Sequence, residues 1–187
     1  MLPLQIHLTL PPWIGDVADV NQRYATDEER MGVAVALARE NVDRGGGGPF
    51  GAAVFNNHSG RLVAVGVNRV VPQHCSLAHA ENMALMIAQQ RLGRHRINED
   101  GGHYVLATSA QPCCQCYGAT VWAGIDTLLI GARTEDVESL TEFDEGPLPA
   151  DWVGELHKRG IAVRRDILRD DARAVLRRYG ERGGVAY

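Results

Sequence analysis

Lysine is almost missing from this chain: Lys158 stands alone against eighteen arginines in 187 residues. The 19 basic side chains are outnumbered by 23 acidic ones, and the net charge of −4 argues against a partner that is mainly phosphate backbone. Arginines do thicken late in the chain, at 164, 165, 169, 173, 177, 178 and 182. Asp166, Asp170, Asp171 and Glu181 are interleaved with them, which reads as a solvated helix face with local ion pairs rather than a nucleic-acid surface. No apolar run approaches the ~20 residues of a membrane span. Residues 1–13 lack a basic stretch and carry Pro3, Pro11 and Pro12, unlike a secretory signal, so a cytoplasmic location is expected. Cysteine is scarce too. Four cysteines without an export signal make a poor disulfide framework, and their spacing favours metal binding or catalysis.

What is present is ordinary for a globular protein: 45% hydrophobic and 22% charged residues, enough chain for one domain with a substantial core. Residues 1–25 show no period and read as an irregular arm. Thr26-Asp27-Glu28-Glu29 is a capping box that predicts a helix start, with Met31, Ala34, Val35, Ala38 and Val42 along its apolar face. Two β-rich runs, 50–55 and 62–67, flank the polar turn 56–60 and predict a hairpin. A loop over 68–76 leads to a helix near 78–91, then a strand at 104–107. Pro112 suits the first position of another helix, running to about 123. A strand at 127–132, short helices near 135–140 and 152–159, a strand at 161–165 and a last helix with Leu168, Ala172, Val175 and Tyr179 on one face complete the order. Short apolar strands among helices imply an α/β protein, one three-layer α/β/α domain over about 26–182 with a mixed sheet of about five strands, and 183–187 as a tail.

Two clusters carry the chemistry, His79-Ala80-Glu81 and Pro112-Cys113-Cys114-Gln115-Cys116. One imidazole and two thiolates, from His79, Cys113 and Cys116, can hold one zinc per chain and leave its fourth position open for water. Glu81, too close to His79 to ligate without crowding, is placed to carry protons. H-x-E…P-C-x-x-C is the pattern of the zinc-dependent nucleobase and nucleoside deaminases. A closed, purely structural zinc site needs a fourth ligand. Cys114 should point away around the helix, while His74 and Cys75 stay open by spacing.

On these motifs the chain resembles the cytidine-deaminase-like superfamily, and within it the bacterial guanine deaminase branch, from near Thr26 to the C-terminus. Further pieces carry the resemblance: Gly48 to Ala53, Asn68 to Pro72, Thr108 to Cys113 and Phe143 to Pro147. It implies the cytidine deaminase-like fold, a nucleobase substrate, a role in purine catabolism and a homodimer in which C-terminal segments can be exchanged. It also implies roles for single residues. Asn68 would read the polar edge of a purine, and Phe50 and Trp122 would wall the flat base. Glu145, with Asp144 as a weaker candidate, would contact substrate and assist proton transfer. The tail ending in Tyr187 would close over the site. From the residues alone Phe50 and Trp122 could be core aromatics, Asn68 a turn residue, Glu145 a solvated loop acid and Tyr187 a frayed end. Gln111 and Gln115 depart from the glutamate and methionine common in the family, leaving the ligands intact but the pocket more polar. The expected reaction is hydrolytic deamination of guanine to xanthine. Cytosine, guanosine, a pterin, an aminotriazine or a tRNA adenosine remain alternative substrates, and a non-catalytic zinc module the alternative of another class.

Overall fold

The computed structural model describes residue 2 and residues 4–187; Met1 and Pro3, part of the expected arm, lie outside the described residues. In chain order the elements are α1 (Ile14–Val17), α2 (Asp27–Asp43), β1 (Gly51–Asn56), β2 (Leu62–Val67), α3 (Val70–Gln73) and α4 (Ala80–Leu92). There follow β3 (Tyr104–Ala110), α5 (Cys114–Ala123), β4 (Thr127–Ala132), α6 (Thr134–Leu140), α7 (Trp152–His157), β5 (Ala162–Arg164) and α8 (Arg169–Glu181). A 3-10 turn at Ile97–Asp100 precedes β3. The strands form one mixed sheet in the order β2-β1-β3-β4-β5. The β1 strand is antiparallel to both β2 and β3, while β3, β4 and β5 run parallel.

Side-chain alternation along the strands makes the layers. Ala53, Phe55, Val105, Ala107 and Leu129 face α2 and α8 on one side of the sheet. Ala52, Val54, Leu106, Leu128 and Ile130 face α4 and the apolar flank of α5 on the other. This is the expected three-layer α/β/α domain with five strands. The capping box at the start of α2 is also present: the Glu29 N–H donates to Thr26 Oγ1 at 3.1 Å and the Thr26 N–H to Glu29 Oε2 at 3.0 Å.

Three local readings differ from the sequence expectation. The arm is not merely irregular, since α1 forms within it, Ala18 and Tyr24 are buried in the core, and the Tyr24 N–H donates to the Gly60 carbonyl at 2.8 Å. The expected loop 68–76 contains α3, a single turn with no side-chain cap. Helices α4 and α5 start later than expected, so His79 and Cys113 are N-cap residues and Pro112 lies before its helix rather than in the first turn.

The sheet positions the site through one end of its strands. Ala52 of β1 pairs with Thr108 of β3, and Gly51 with Val67 of β2. Phe50 entering β1, Asn68 leaving β2 and Ala110 leaving β3 toward α5 therefore meet at the same edge. Gly66 matters here because a Cβ on it would strike the backbone of Ala80 and Ala84, so its missing side chain lets the first turn of α4 lie directly on β2.

Candidate active site

His79 caps α4 and Cys113 caps α5, in extended backbone and with neither side chain making a capping hydrogen bond. Both side chains are left free to converge where two helix N-termini, with their unpaired N–H groups and partial positive charge, meet. The ligand atoms of His79, Cys113 and Cys116 all lie within 4.8 Å of one another. His79 Nδ1 is 3.5 Å from Cys113 Sγ, against roughly 3.6 Å for nitrogen and sulfur on one tetrahedral zinc. The donor set therefore fits zinc. Cys114 is exposed, and neither it nor Cys75 nor His74 joins the cluster, so among the described residues three protein ligands face the metal position and a closed four-ligand site is excluded.

The thiols are poised for a cation. A hydrogen bond from the Cys116 thiol is the largest influence on Cys113 and pulls its pKa down to about 4, while the same bond and burial push Cys116 well above the usual thiol range. Burial opposes the charge on His79, but its bond with Cys113 and the nearby Glu81 carboxyl outweigh that and raise it.

Glu81 is buried beside these ligands, with Oε2 3.4 Å from Cys116 Sγ and Oε1 3.3 Å from Thr108 Oγ1. Burial, then the Cys113 charge, pushes its carboxyl up toward the protonated form. The Thr108 hydroxyl is within donating distance of both Glu81 Oε1 at 3.3 Å and the Ala110 carbonyl at 3.0 Å, and its single proton serves one of them at a time. Thr108 was not foreseen. Its sequence signal is its place at the head of the Thr108 to Cys113 piece that carries the family resemblance, to which no role for the hydroxyl was attached.

The cavity beside the triad is lined by Phe50, Asn68, Glu81, Gln111, Asp144, Glu145, Phe143 and Tyr187. Asn68 is fully buried: its Oδ1 accepts N–H bonds from Gly48 (3.3 Å) and Val70 (3.2 Å), and its Nδ2 has no partner among the described residues. Glu145 is buried, and burial, then the charges of Cys113 and Glu81, raises its carboxyl to about 8. A metal cation would cancel the Cys113 part and leave the burial part. Asp144 is exposed, and its Oδ1 accepts the Gly146 N–H at 2.8 Å, which shapes the loop. Phe143 packs edge-on against Phe50 (centroids 5.1 Å apart) and Tyr187 (4.9 Å), and Tyr187 stands 6.1 Å from the His79 ring. Tyr187 is 44% exposed as a residue, yet its phenol is buried enough to raise its pKa. The tail thus lies over its own chain's cavity.

One expectation is corrected. Trp122 does not wall this cavity; it is 79% exposed and lines a separate groove with Tyr117, Val121 and Pro149. Cys116, Thr120 and Ala123 form the buried face of α5, and at 100° per residue Trp122 points about 160° away from Thr120. Phe143 fills the wall instead. It was unassigned in sequence, although it sits two residues before Glu145.

Residues 24–132 match the family described as the cytidine and deoxycytidylate deaminase zinc-binding region, more than half of the chain and all of the metal cluster. The chain belongs to this family. Among solved structures of the deaminase family, a guanine deaminase from Nitrosomonas europaea is 44% identical, covering 97% of this chain and 99% of that one with a TM-score of 0.90. A structure in complex with 2,6-diaminopurine is 47% identical over 97% of this chain and 95% of its own, with a TM-score of 0.89. A guanine deaminase of Bacillus subtilis is 37% identical over 103 residues, or 55% of this chain; the match spans 62% of that protein's length. The chain is thus a zinc-dependent aminohydrolase of the cytidine deaminase-like fold. Among the described residues no helix is long and apolar enough to cross a membrane.

Proposed function

We propose that this protein converts guanine and water to xanthine and ammonia. The observation that carries this reading is the buried Asn68 amide, whose Nδ2 has no acceptor among the described residues, on a residue that lines the same cavity as His79, Glu81 and Glu145. A buried donor without an acceptor costs about 1–3 kcal/mol, which a base with an acceptor edge relieves on binding. Guanine has that edge in O6 and N7, with its 2-amino carbon on the far side of the ring. Zinc held by His79, Cys113 and Cys116 supplies the Lewis acidity that makes water a nucleophile at neutral pH. Glu81 takes a proton from the attacking water and passes it to the ring nitrogen beside C2 as the C–O bond forms. Glu145, which burial keeps able to hold a proton near neutrality, assists the second transfer as the C–N bond breaks and ammonia leaves. Phe50, Phe143 and Tyr187 hold the flat base and exclude water. Asp144 has a lesser part, keeping the Glu145 loop in shape.

The tail over the cavity favours a free base over guanosine or a tRNA loop, since a ribose would have to pass Phe143 and Tyr187. We also propose a cytoplasmic enzyme of purine catabolism acting as a homodimer; exposed Trp122 and Leu77, on α5 and on the loop that Gln115 bonds to it, support the dimer.

The test is ammonia release by zinc-loaded protein offered guanine, guanosine, adenine, cytosine, cytidine and an aminotriazine. Guanine is expected to be turned over with the highest kcat/KM. Turnover of another base with none of guanine would overturn the substrate and leave the chemistry standing. Removing residues 184–187 should lower kcat/KM for guanine by roughly ten- to hundredfold, because an aromatic ring contributes about 1.5–3 kcal/mol when buried. Steady-state kinetics equal to the intact chain would show that the tail is a bystander.

A further inference from the structure

Asn41, in the last turn of α2, is fully buried and lies behind the cavity rather than in its wall. Its Nδ2 donates to two carbonyls at once, Gly48 O at 2.8 Å and Asn68 O at 3.0 Å. Its Oδ1 has no partner among the described residues, so this side chain is held by its donor side. Gly48 is the centre of the arrangement. Its N–H donates to Asn68 Oδ1, and its carbonyl, besides accepting from Asn41, accepts the Phe50 N–H at 2.9 Å. The Asn68 N–H in turn donates to the Phe50 carbonyl at 3.1 Å.

This matters because Gly45 to Gly48 are four consecutive glycines, a segment with no side chains of its own to fix its peptides. With the Gly48 peptide held, two N–H groups face Asn68 Oδ1, and the Asn68 amide cannot flip without setting its NH2 against them. Asn68 then offers the cavity hydrogen-bond donors only.

We infer that Asn41 is a positioning residue for base recognition, clamping the Gly48 peptide so that Asn68 presents its NH2 and the site selects a base with an acceptor on that edge. The inference deepens the guanine reading and rests on it. Without the Asn41 amide, two buried carbonyls lose a donor and the glycine segment loses its one side-chain hydrogen bond to α2 among the described residues, while zinc and Glu81 keep their surroundings.

The test is a double-mutant cycle in the full-length zinc-loaded enzyme, with Asn41→Ala, Asn68→Ala and the double variant. It is read on guanine and on 2-aminopurine, which keeps the 2-amino group but lacks the 6-oxo acceptor. Each single variant is expected to lose about ten- to hundredfold in kcat/KM for guanine, chiefly in KM, and far less for 2-aminopurine. The double variant should fall within about threefold of Asn68→Ala alone, because both changes remove one interaction. Asn41→Asp keeps the side chain's volume but sets a carboxylate against the two carbonyls; it should lose as much as alanine, which a packing role does not predict. It also keeps the test decisive if the alanine variant folds poorly. Losses that multiply in the double variant, or guanine preference kept in a folded, zinc-loaded Asn41→Asp, would overturn the inference. No turnover of guanine by the wild type strikes the proposed function instead, and the cycle is then read on whichever base is deaminated.

Discussion

Glu81→Gln is expected to bind one zinc per chain as the wild type does and to lose about 10²–10⁴-fold in kcat. Glutamine keeps the shape of the side chain and a carbonyl oxygen near Thr108, whose hydroxyl lies 3.3 Å from Glu81. What it lacks is a carboxyl that both takes and gives a proton. Glu81 is not a member of the metal cluster, so the loss should fall on turnover and not on metal content. The raised carboxyl, pushed up first by burial, fits a group whose task is proton traffic. Metal analysis with single-turnover kinetics reads both quantities on one preparation. Near-normal rates with zinc in place would remove Glu81 from the mechanism.

The second large effect is on the metal itself. Cys116→Ala should abolish stoichiometric zinc and, with it, measurable deamination, because two remaining ligands cannot hold a catalytic zinc. Cys116 is fully buried between Glu81 and Cys113, so no water-exposed side chain can substitute for it. In the wild type, added zinc should raise Tm by mass action on the folded state, and in the variant that rise should vanish. Affinity should also fall as pH falls. Cys116 holds its proton well above the usual thiol range in the metal-free chain, and zinc must displace it, so protons compete with the metal. A zinc titration followed by Tm at several pH values checks both points; a variant still stabilised by zinc would contradict the ligand assignment.

The metal centre was legible because its ligands sit at short, fixed spacings. H-x-E and C-x-x-C need only local geometry to converge, and the sheet then has to bring two helix starts together. The strands were legible for a similar reason, since apolar runs such as Thr127–Ala132 are buried on both faces and carry few polar interruptions. The helix starts were harder. Proline and a β-rich approach mark a boundary only within a few residues, and placing His79 and Cys113 as N-caps depends on backbone angles. The four-residue helices α1 and α3 have too few turns for any period to show, and neither carries a side-chain cap. Around the substrate, aromatic content alone did not tell Phe143 from Trp122, because which face of α5 is buried is decided by its packing on α4 and the sheet. Asn41 was invisible for a different reason. A buried asparagine in the last turn of a helix has no local signature, and its meaning lies in two carbonyls that the glycine segment and the end of β2 bring to it.

The central claim is that one open zinc site with a proton-carrying Glu81 hydrolyses guanine at C2. Incubating zinc-loaded enzyme with guanine in oxygen-18 water tests it most directly. The expected result is xanthine carrying one solvent oxygen and ammonia in equal amount. Guanine returned unchanged by a protein that holds its full zinc, or a product without solvent oxygen, would contradict it.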